Sequence, residues 1–296
     1  MADEELLICT ACGTQFDIAD PTKLQDCRIC DDPRQFVPPS GQSFTTLAKL
    51  RSEDYVNKTA RDSENDKALS IWTEPKFGIG QRAVLLQTEH GNVLWDLIAY
   101  LDQATIDLIN SLGGLKAIVI SHPHYYTTHL VWAKVFNCPV YLATEDKSWL
   151  CREANGLTAG KRIFIESDSQ EIVPGVTAVK VGGHFPGSLV LHWENMLFIA
   201  DSLVTVPSAL YHVDRPKGTT SYSFMWSIPN MIPLPPADIV KIWKSLRPYS
   251  FTSTHGAFHG VDVRDPKLKG RVLESAKIAI AAMGYAENEI FAEEWQ

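Results

Sequence analysis

Two histidines, His122 and His124, directly follow an apolar run, and this arrangement constrains the fold more than any other feature. The run at residues 115–120 has the length and the branched residues of a buried strand, and residues 128–136 have a helical pattern. The histidines therefore lie in a strand-to-helix loop, where their spacing can place both imidazoles on one side of the backbone. Imidazole is the commonest side-chain metal ligand, so the loop predicts a metal site. The alternative interpretation is two loop histidines that face water.

Four of the six cysteines form two CxxC pairs, Cys9 with Cys12 and Cys27 with Cys30. Four thiolates provide the tetrahedral set that structural zinc prefers. So short a segment buries too little apolar surface to fold alone, and a bound metal would stabilise it. The pairs predict a zinc-ribbon-like module in residues 1–40 with one structural zinc. A rubredoxin-type iron site and a pair of redox dithiols are the alternatives.

Composition limits the classes of partner. The chain has 296 residues, a hydrophobic content of 45% and a formal net charge of -8. This charge argues against nucleic acid and anionic membranes as partners, and no apolar run approaches the length of a membrane span. The acidic first residues lack the basic region of a secretory signal, and the cysteine pairs favour metal over disulfides. We therefore expect a cytoplasmic protein that acts on a small molecule, and its oligomeric state is not indicated.

The remaining chain divides into a short connection and a large domain. Residues 41–68 form a linker or extension, because residues 36–41 are rich in proline and residues 58–67 are polar and predict an exposed loop. From residue 69 to residue 296, strand and helix patterns alternate. Strands are predicted at residues 71–73, 76–80, 82–87, 92–96, 139–143, 162–165, 176–181, 189–193, 196–200 and 250–254. Helices are predicted at residues 104–112, 145–154, 237–246 and 267–284.

Acidic or histidine residues recur where the predicted strands end, at Asp96, His122, His124, His184, Asp201 and His255. In this order the set resembles the five motif positions of the metallo-β-lactamase fold superfamily. The resemblance covers roughly residues 69–296 and implies an α/β fold, the αββα sandwich. The cysteine module lies outside it and is similar to a zinc ribbon or a rubredoxin-like knuckle.

The resemblance implies a first metal held by His122, His124 and His184. The superfamily motif His-x-His-x-Asp-His has an aspartate and a last histidine where this chain has Tyr126 and Thr127. Two of the four expected ligands of a second metal are therefore missing, which implies one catalytic metal.

Two further superfamily positions match Asp201 and His255. His259 competes with His255 for the last position, and His129 is a candidate substitute for the missing histidine. The structural alternatives are a strand-end cap for Asp201 and an ordinary loop residue for His255.

Three imidazoles with an open fourth position form a catalytic zinc arrangement, and such a zinc lowers the pKa of its bound water to about 7. The implied enzyme is a zinc-dependent hydrolase that attacks a small lactone, lactam, ester or thioester with metal-bound hydroxide. Asp201 would be a fourth ligand or would deprotonate the water, and Asp96 would hydrogen-bond a ligand histidine. Tyr125 or Tyr126 would donate a proton to the oxyanion or leaving group, although packing is the commoner role of such residues.

Other residues receive supporting roles. An apolar substrate wall is predicted from Phe185, Tyr222, Phe224, Met225 and Trp226, within or near an irregular segment at residues 219–236. Structural or exposed positions are predicted for His90, His192 and His212. Cys138 and Cys151 are predicted to be reduced, buried small hydrophobes.

Two functions remain as alternatives to hydrolysis. The first is mononuclear iron chemistry on the same fold, such as thiol or persulfide oxidation. The second is a catalytically silent protein that binds a partner through its cysteine module. A nuclease is disfavoured, because phosphodiester cleavage commonly uses two metals and the chain is acidic.

Overall fold

The computed structural model describes residues 3–211 and 215–295, so His212 lies outside the described residues. The chain forms two compact units, Met1–Ile165 and Glu166–Gln296, each with its own central sheet. A search of the described residues finds no helix with the length and hydropathy needed to cross a membrane.

The first unit alternates strands with helices after a short two-stranded start. Its elements are β1 (Ile8–Cys9), β2 (Phe44–Thr45), α1 (Leu47–Arg51), β3 (Val56–Arg61), β4 (Ala68–Glu74), β5 (Arg82–Leu86), β6 (Val93–Trp95), α2 (Gln103–Ser111), β7 (Ala117–Val119), α3 (His129–Val135), β8 (Val140–Ala143) and β9 (Arg162–Ile165).

Strands β3 to β9 form one seven-stranded sheet in chain order. Pairing is antiparallel from β3 to β6, which confirms the predicted β5–β6 hairpin, and parallel from β6 to β9. Strands β5, β6 and β7 are buried along their whole length, as expected for the apolar interior of an α/β sheet.

The exposed loop predicted at residues 58–67 is wrong over its first part, because residues 58–61 belong to β3. This strand lies at the edge of the sheet, and its side chains are exposed or only half-buried. Sequence periodicity does not reveal this strand, because an edge strand that is solvated on both faces needs no alternation of apolar and polar residues. Its backbone hydrogen bonds come from pairing with β4. The domain limits at residues 40 and 68 remain predictions.

Two other local predictions are wrong in the first unit. Residues 76–80 form a turn after the cis Glu74–Pro75 bond and are not a strand. The helix predicted at 145–154 is reduced to a 3-10 turn at Thr144–Trp149. Arg152, which follows this turn, donates hydrogen bonds to Asp3 and Gln15.

The second unit begins with an antiparallel meander of its first four strands. The elements of the whole unit are β10 (Ser169–Val173), β11 (Val176–Lys180), β12 (Leu189–Trp193), β13 (Met196–Phe198), β14 (Val204–Thr205), β15 (Tyr222–Ser223), β16 (Met225–Ser227), β17 (Ile232–Pro233), α4 (Pro236–Leu246), β18 (Ser253–His255), β19 (Val263–Arg264) and α5 (Leu268–Ala282). Strand β10 has no counterpart among the sequence predictions, because its side chains are mostly exposed.

A six-stranded sheet, β10–β11–β12–β13–β18–β19, organises this unit. Helices α4 and α5 contribute to its core through residues such as Trp243 and Ile280, both fully buried. Because β11 and β13 both run antiparallel to β12, and β18 runs parallel to β13, these three strands end at the same edge of the sheet. The segments that follow them carry His184, Asp201 and His255. The α/β class predicted from the sequence is confirmed.

Helix α2 offers a direct test of local stability. Asp102 caps its N-terminus, with Oδ1 accepting from the Thr105 N–H at 2.8 Å and Oδ2 from the Asn57 N–H at 3.2 Å. We expect Asp102→Ala to lower the free energy of unfolding by about 1–2 kcal/mol, measured by urea denaturation. Asp107→Ala, an exposed change on the same helix, is the control and should stay within about 0.5 kcal/mol. Equal effects of the two changes would contradict the capping role.

Candidate metal centres

The four paired cysteines form one compact cluster in the first unit. All four Sγ atoms lie within 4.8 Å of one another. The Sγ atoms of Cys9 and Cys30 are 3.7 Å apart, as are those of Cys12 and Cys27. A zinc–sulfur bond of about 2.3 Å gives a tetrahedral edge of about 3.8 Å, so the spacing fits a metal ion. It is far longer than the roughly 2 Å of a disulfide bond.

The CxxC turns place the thiols by backbone hydrogen bonds. The N–H of Gly13 donates to the Cys9 carbonyl at 2.8 Å, and the N–H of Cys30 donates to the Cys27 carbonyl at 2.9 Å. All four cysteines are buried, together with Phe16 and Ile29. The neighbouring Cys27 thiol and burial raise the pKa of Cys12. A bound cation is what allows such a crowded set to ionise. This cluster confirms the predicted four-cysteine module.

His122 and His124 lie in the loop between β7 and α3, as predicted. Both are almost fully buried, and their ring centroids are 5.1 Å apart at 80°. The alternative of two loop histidines that face water is therefore wrong. A 3-10 turn at Pro123–Tyr125 brings the two rings together.

Asp96 and Ser121 support this loop. Parallel pairing of β6 with β7 brings their carboxyl ends side by side, with Trp95 opposite Val119. Asp96 Oδ1 accepts a hydrogen bond from the Ser121 N–H at 2.7 Å, and Ser121 Oγ lies 2.9 Å from His122 Nδ1. Asp96 thus acts on the backbone next to His122, and the serine contacts the ring.

The two tyrosines of the loop are buried. The Tyr125 ring packs on His122 with centroids 5.3 Å apart. The Tyr126 hydroxyl donates to the Asp146 carbonyl at 3.3 Å, and burial raises the pKa of Tyr126. This geometry favours a packing role for Tyr126, and the catalytic role of either tyrosine remains a prediction.

His129 has both ring nitrogens engaged. Its Nδ1 lies 2.7 Å from the Tyr126 carbonyl, and its Nε2 accepts from Arg162 Nε at 2.9 Å. Burial and the positive charge of Arg162 lower the pKa of His129 to about 3. A neutral ring that donates from Nδ1 has no nitrogen available for a metal, so His129 does not substitute for the missing histidine.

In the second unit, His184 and Asp201 form a buried pair. Their Nε2 and Oδ2 atoms are 3.6 Å apart. His184 Nδ1 lies 2.8 Å from the Trp226 carbonyl, a contact that places the proton on Nδ1. Ser202 fixes the turn, because its hydroxyl donates to the Gly182 carbonyl at 2.6 Å and accepts from the His184 N–H at 3.0 Å.

Gly183, the residue before His184, has to be glycine. Its φ is +87°, and a Cβ there would lie 2.8 Å from Leu234 Cδ1. Any side chain would therefore push the turn away from the core.

His255 lies at the end of β18, against other groups. Its Nε2 is 3.1 Å from Ser253 Oγ, its Nδ1 is 3.6 Å from Asp262 Oδ2, and its ring stacks on Phe198. Within the described part of the chain, the metal-capable group that contains His184 and Asp201 does not include His255. Its role as a ligand remains a prediction, and the competing His259 is exposed.

Three residues of the predicted substrate wall belong to the core. Phe185, Tyr222 and Phe224 are at most 2% exposed, so they offer no open surface, whereas Met225 and Trp226 are half-buried. Sequence identifies these residues as apolar and gives no indication of which face of the segment they occupy.

His90, His192 and Cys138 behave as predicted, whereas Cys151 is half-buried instead of buried. His90 is exposed, and His192 is half-buried with Nε2 2.8 Å from the Ser250 carbonyl. Burial raises the pKa of Cys138 and of Cys151 to about 12, so both remain thiols.

Comparison with known proteins agrees with this fold. VMB-1 superposes with a TM-score of 0.50 at 15% identity, over 76% of this chain and 98% of that one. The metallo-β-lactamase DIM-1 also gives 0.50, at 13% identity over the same shares. The chain therefore has the metallo-β-lactamase fold, preceded by a four-cysteine module.

A closer relative defines the family. YmaE of Bacillus subtilis (strain 168), described as an uncharacterized protein, is 40% identical over 255 residues, which cover 86% of this chain and 89% of YmaE. The chain belongs to the same protein family as YmaE. No family model matches the sequence.

The His129 contacts predict a pH-dependent stability. The folded-state pKa is about 3 against 6.5 for an unperturbed histidine, so the unfolded state takes up the proton first. The contribution of His129 to the free energy of unfolding is complete above pH 6.5. It is lost as the pH falls towards 3, at up to about 1.4 kcal/mol per pH unit. In His129→Leu this dependence should disappear, and stability at neutral pH should fall by about 2–4 kcal/mol.

Urea unfolding of both proteins at acidic and neutral pH measures this difference, with the exposed change His90→Gln as the control. A folded His129→Leu protein that has lost a metal ion would contradict the structural assignment of this residue.

Proposed function

We propose that this protein is a metal-dependent hydrolase of a small carbonyl substrate, such as a lactone, lactam, ester or thioester. In this proposal His122, His124 and His184 hold one catalytic zinc ion, and Asp201 is a fourth ligand or a base. The observation that carries the proposal is the buried His184–Asp201 pair, whose ligand atoms lie 3.6 Å apart.

The donor atoms of this pair fit a metal ion. Two zinc ligands at about 2.0–2.2 Å subtend a tetrahedral edge of about 3.4 Å, close to the observed distance. The Trp226 carbonyl holds His184 in the tautomer whose Nε2 carries the lone pair, which is the usual way a protein orients a ligand histidine. Ser121 Oγ lies 2.9 Å from His122 Nδ1 and orients that ring by a hydrogen bond.

The remaining chemistry follows from these side chains. A zinc ion bound there would supply a Lewis acid and a source of hydroxide near neutral pH. Asp201, which is 6% exposed, would accept and move the proton of the attacking water. Trp226, whose carbonyl contacts His184, and its neighbour Met225 are half-buried and would contact the apolar part of the substrate.

One catalytic metal is proposed instead of two. The positions of the superfamily aspartate and last histidine hold Tyr126 and Thr127, and Tyr126 donates its hydroxyl proton to a carbonyl. His129 cannot replace them, because both of its nitrogens are engaged.

The cysteine cluster is proposed to hold a second, structural zinc. Thiolate ligands suit both zinc and iron, so the identity of this metal is part of the proposal. We further propose a cytoplasmic location, a small-molecule substrate and no nucleic-acid or membrane partner, in view of reduced metal-type cysteines and a net charge of -8.

Metal content tests the two sites separately. We expect the purified protein to contain two zinc ions, because it has two independent donor sets. His122→Asn should lose one and retain the cysteine-bound ion, whereas Cys12→Ser should lose the other. Elemental analysis measures both, and His90→Asn, an exposed histidine change, is the matched control. A full complement in His122→Asn would remove this histidine from the ligand set.

Turnover tests the reaction. We expect chelator-sensitive hydrolysis of at least one member of a panel of lactones, lactams, esters and thioesters. Asp201→Asn should lower kcat by about 10²–10⁴-fold through loss of the base, and the exposed change Asp168→Asn should not. A metal-loaded protein that hydrolyses none of the panel would count against the proposal.

Iron chemistry is the second candidate, because the same donor set can also bind iron. Imidazoles with one carboxylate also bind mononuclear Fe(II) in oxygen-dependent enzymes. Iron in the histidine site, with oxygen-dependent oxidation of thiols or persulfides, would select this function over hydrolysis.

A further inference from the structure

Gln81 connects the cysteine module to the histidine loop. This side chain is 3% exposed and precedes β5. Its Nε2 amide donates to the Cys12 carbonyl at 2.7 Å and to the His124 carbonyl at 3.2 Å. One amide group therefore joins a cysteine of the first CxxC pair and a histidine of the metal loop, at sequence separations of 69 and 43 residues.

A second contact joins the same two segments. The N–H of Gln15 donates to the Thr127 carbonyl at 3.1 Å. Thr127 has a φ of +35°, a conformation that a β-branched residue adopts only when its surroundings require it. The hydrogen bond from the module is one of the constraints that hold it.

The two segments are also in close steric contact. Gly13, directly after Cys12, has a φ of +82°, and a Cβ there would lie 2.8 Å from the Ala99 Cβ and 3.6 Å from Thr127 Cγ2. Only glycine fits at this point of the CxxC turn, because a Cβ would collide with Ala99, whereas its distance to Thr127 in the histidine loop is that of an ordinary contact.

These contacts imply that an ordered cysteine module also orders the histidine loop. A metal held by four cysteines fixes the first CxxC turn, and with it the Cys12 carbonyl that Gln81 contacts. The same amide nitrogen also donates to the backbone carbonyl of His124, one of the proposed ligands. Buried partners of this kind commonly set metal affinity without touching the ion.

We propose that Gln81 is a positioning residue that couples the cysteine site to the histidine site, so that an intact, metal-loaded module raises the affinity of the histidine loop for its metal. The proposal rests on the proposed function only in that His122 and His124 bind a metal. It assigns the module a role in the active site instead of a separate binding role.

Gln81→Glu tests this coupling with little change of shape. It replaces the donor by an acceptor that faces two carbonyl oxygens. We expect the affinity of the histidine site for metal to fall by about 10–100-fold, while the cysteine site keeps its ion. Gln87→Glu is the matched control, because Gln87 follows the same strand β5 and its Oε1 only accepts from Arg61 at 2.9 Å.

Cobalt substitution with chelator competition measures the two sites independently. Thiolate-to-cobalt charge transfer reports the cysteine site, and the weaker d–d bands of a nitrogen and oxygen set report the histidine site. A thermal melt confirms that each variant is folded. Gln81→Met, which removes the donor without adding charge, takes the place of Gln81→Glu if the latter fails to fold.

The outcomes separate this proposal from the proposed function. A wild-type protein that binds cobalt only through thiolates overturns both. A wild-type protein with two sites, together with Gln81 variants of unchanged affinity, overturns the coupling alone. Weakened binding in the Gln81 variants and in Cys12→Ser, with unchanged binding in Gln87→Glu, supports it.

Discussion

The start of the histidine loop is anchored by a hydrogen bond that Asp96 accepts from the Ser121 N–H at 2.7 Å. A carboxylate that is 1% exposed requires donors, because burying an unpaired charge is costly. The donor comes from the backbone just beyond β7, so the bond that compensates the charge also fixes the path of the loop. Asp96 adopts a φ of +56° to reach it, a strain of order 1 kcal/mol that persists only because the parallel pairing of β6 and β7 holds both ends.

The buried histidines of this protein differ in the groups that contact their ring nitrogens Nδ1 and Nε2. His184 has Nδ1 beside the Trp226 carbonyl, which selects the tautomer with its lone pair on Nε2, and His122 has Nδ1 beside the Ser121 hydroxyl. His129 is equally buried and lies five residues after His124, yet Arg162 donates to its Nε2 and makes it a structural residue. Burial alone therefore does not identify a ligand, whereas the donor or acceptor at each nitrogen does.

The sequence predicts those parts of the structure that have a periodic or spaced signal. The buried strand before His122 and the four cysteines were accessible in this way, because apolar runs and CxxC spacing follow from packing and from coordination geometry. Strand β3 was missed because it is polar and exposed, and Tyr222 was assigned to a pocket because an apolar residue gives no indication of the face it occupies. Single polar residues such as Gln81 have no pattern at all, since their role depends on which carbonyls the fold brings within reach.

The cysteine module is too small to be stable alone, and the structure shows how it is supported. β1 pairs with β2, Arg152 forms ion pairs with Asp3 and Asp17, and Gln15 donates to the loop after His124. The contacts of Arg152 and Gln15 join the module to segments that connect strands of the seven-stranded sheet, so the entropic cost of ordering this short chain is shared. Because metal binding and folding are one equilibrium in such a module, the free energy of the four-cysteine site also contributes to the order of every segment that it contacts. The histidine loop is one of those segments, and this is the physical basis of the coupling that we propose through Gln81.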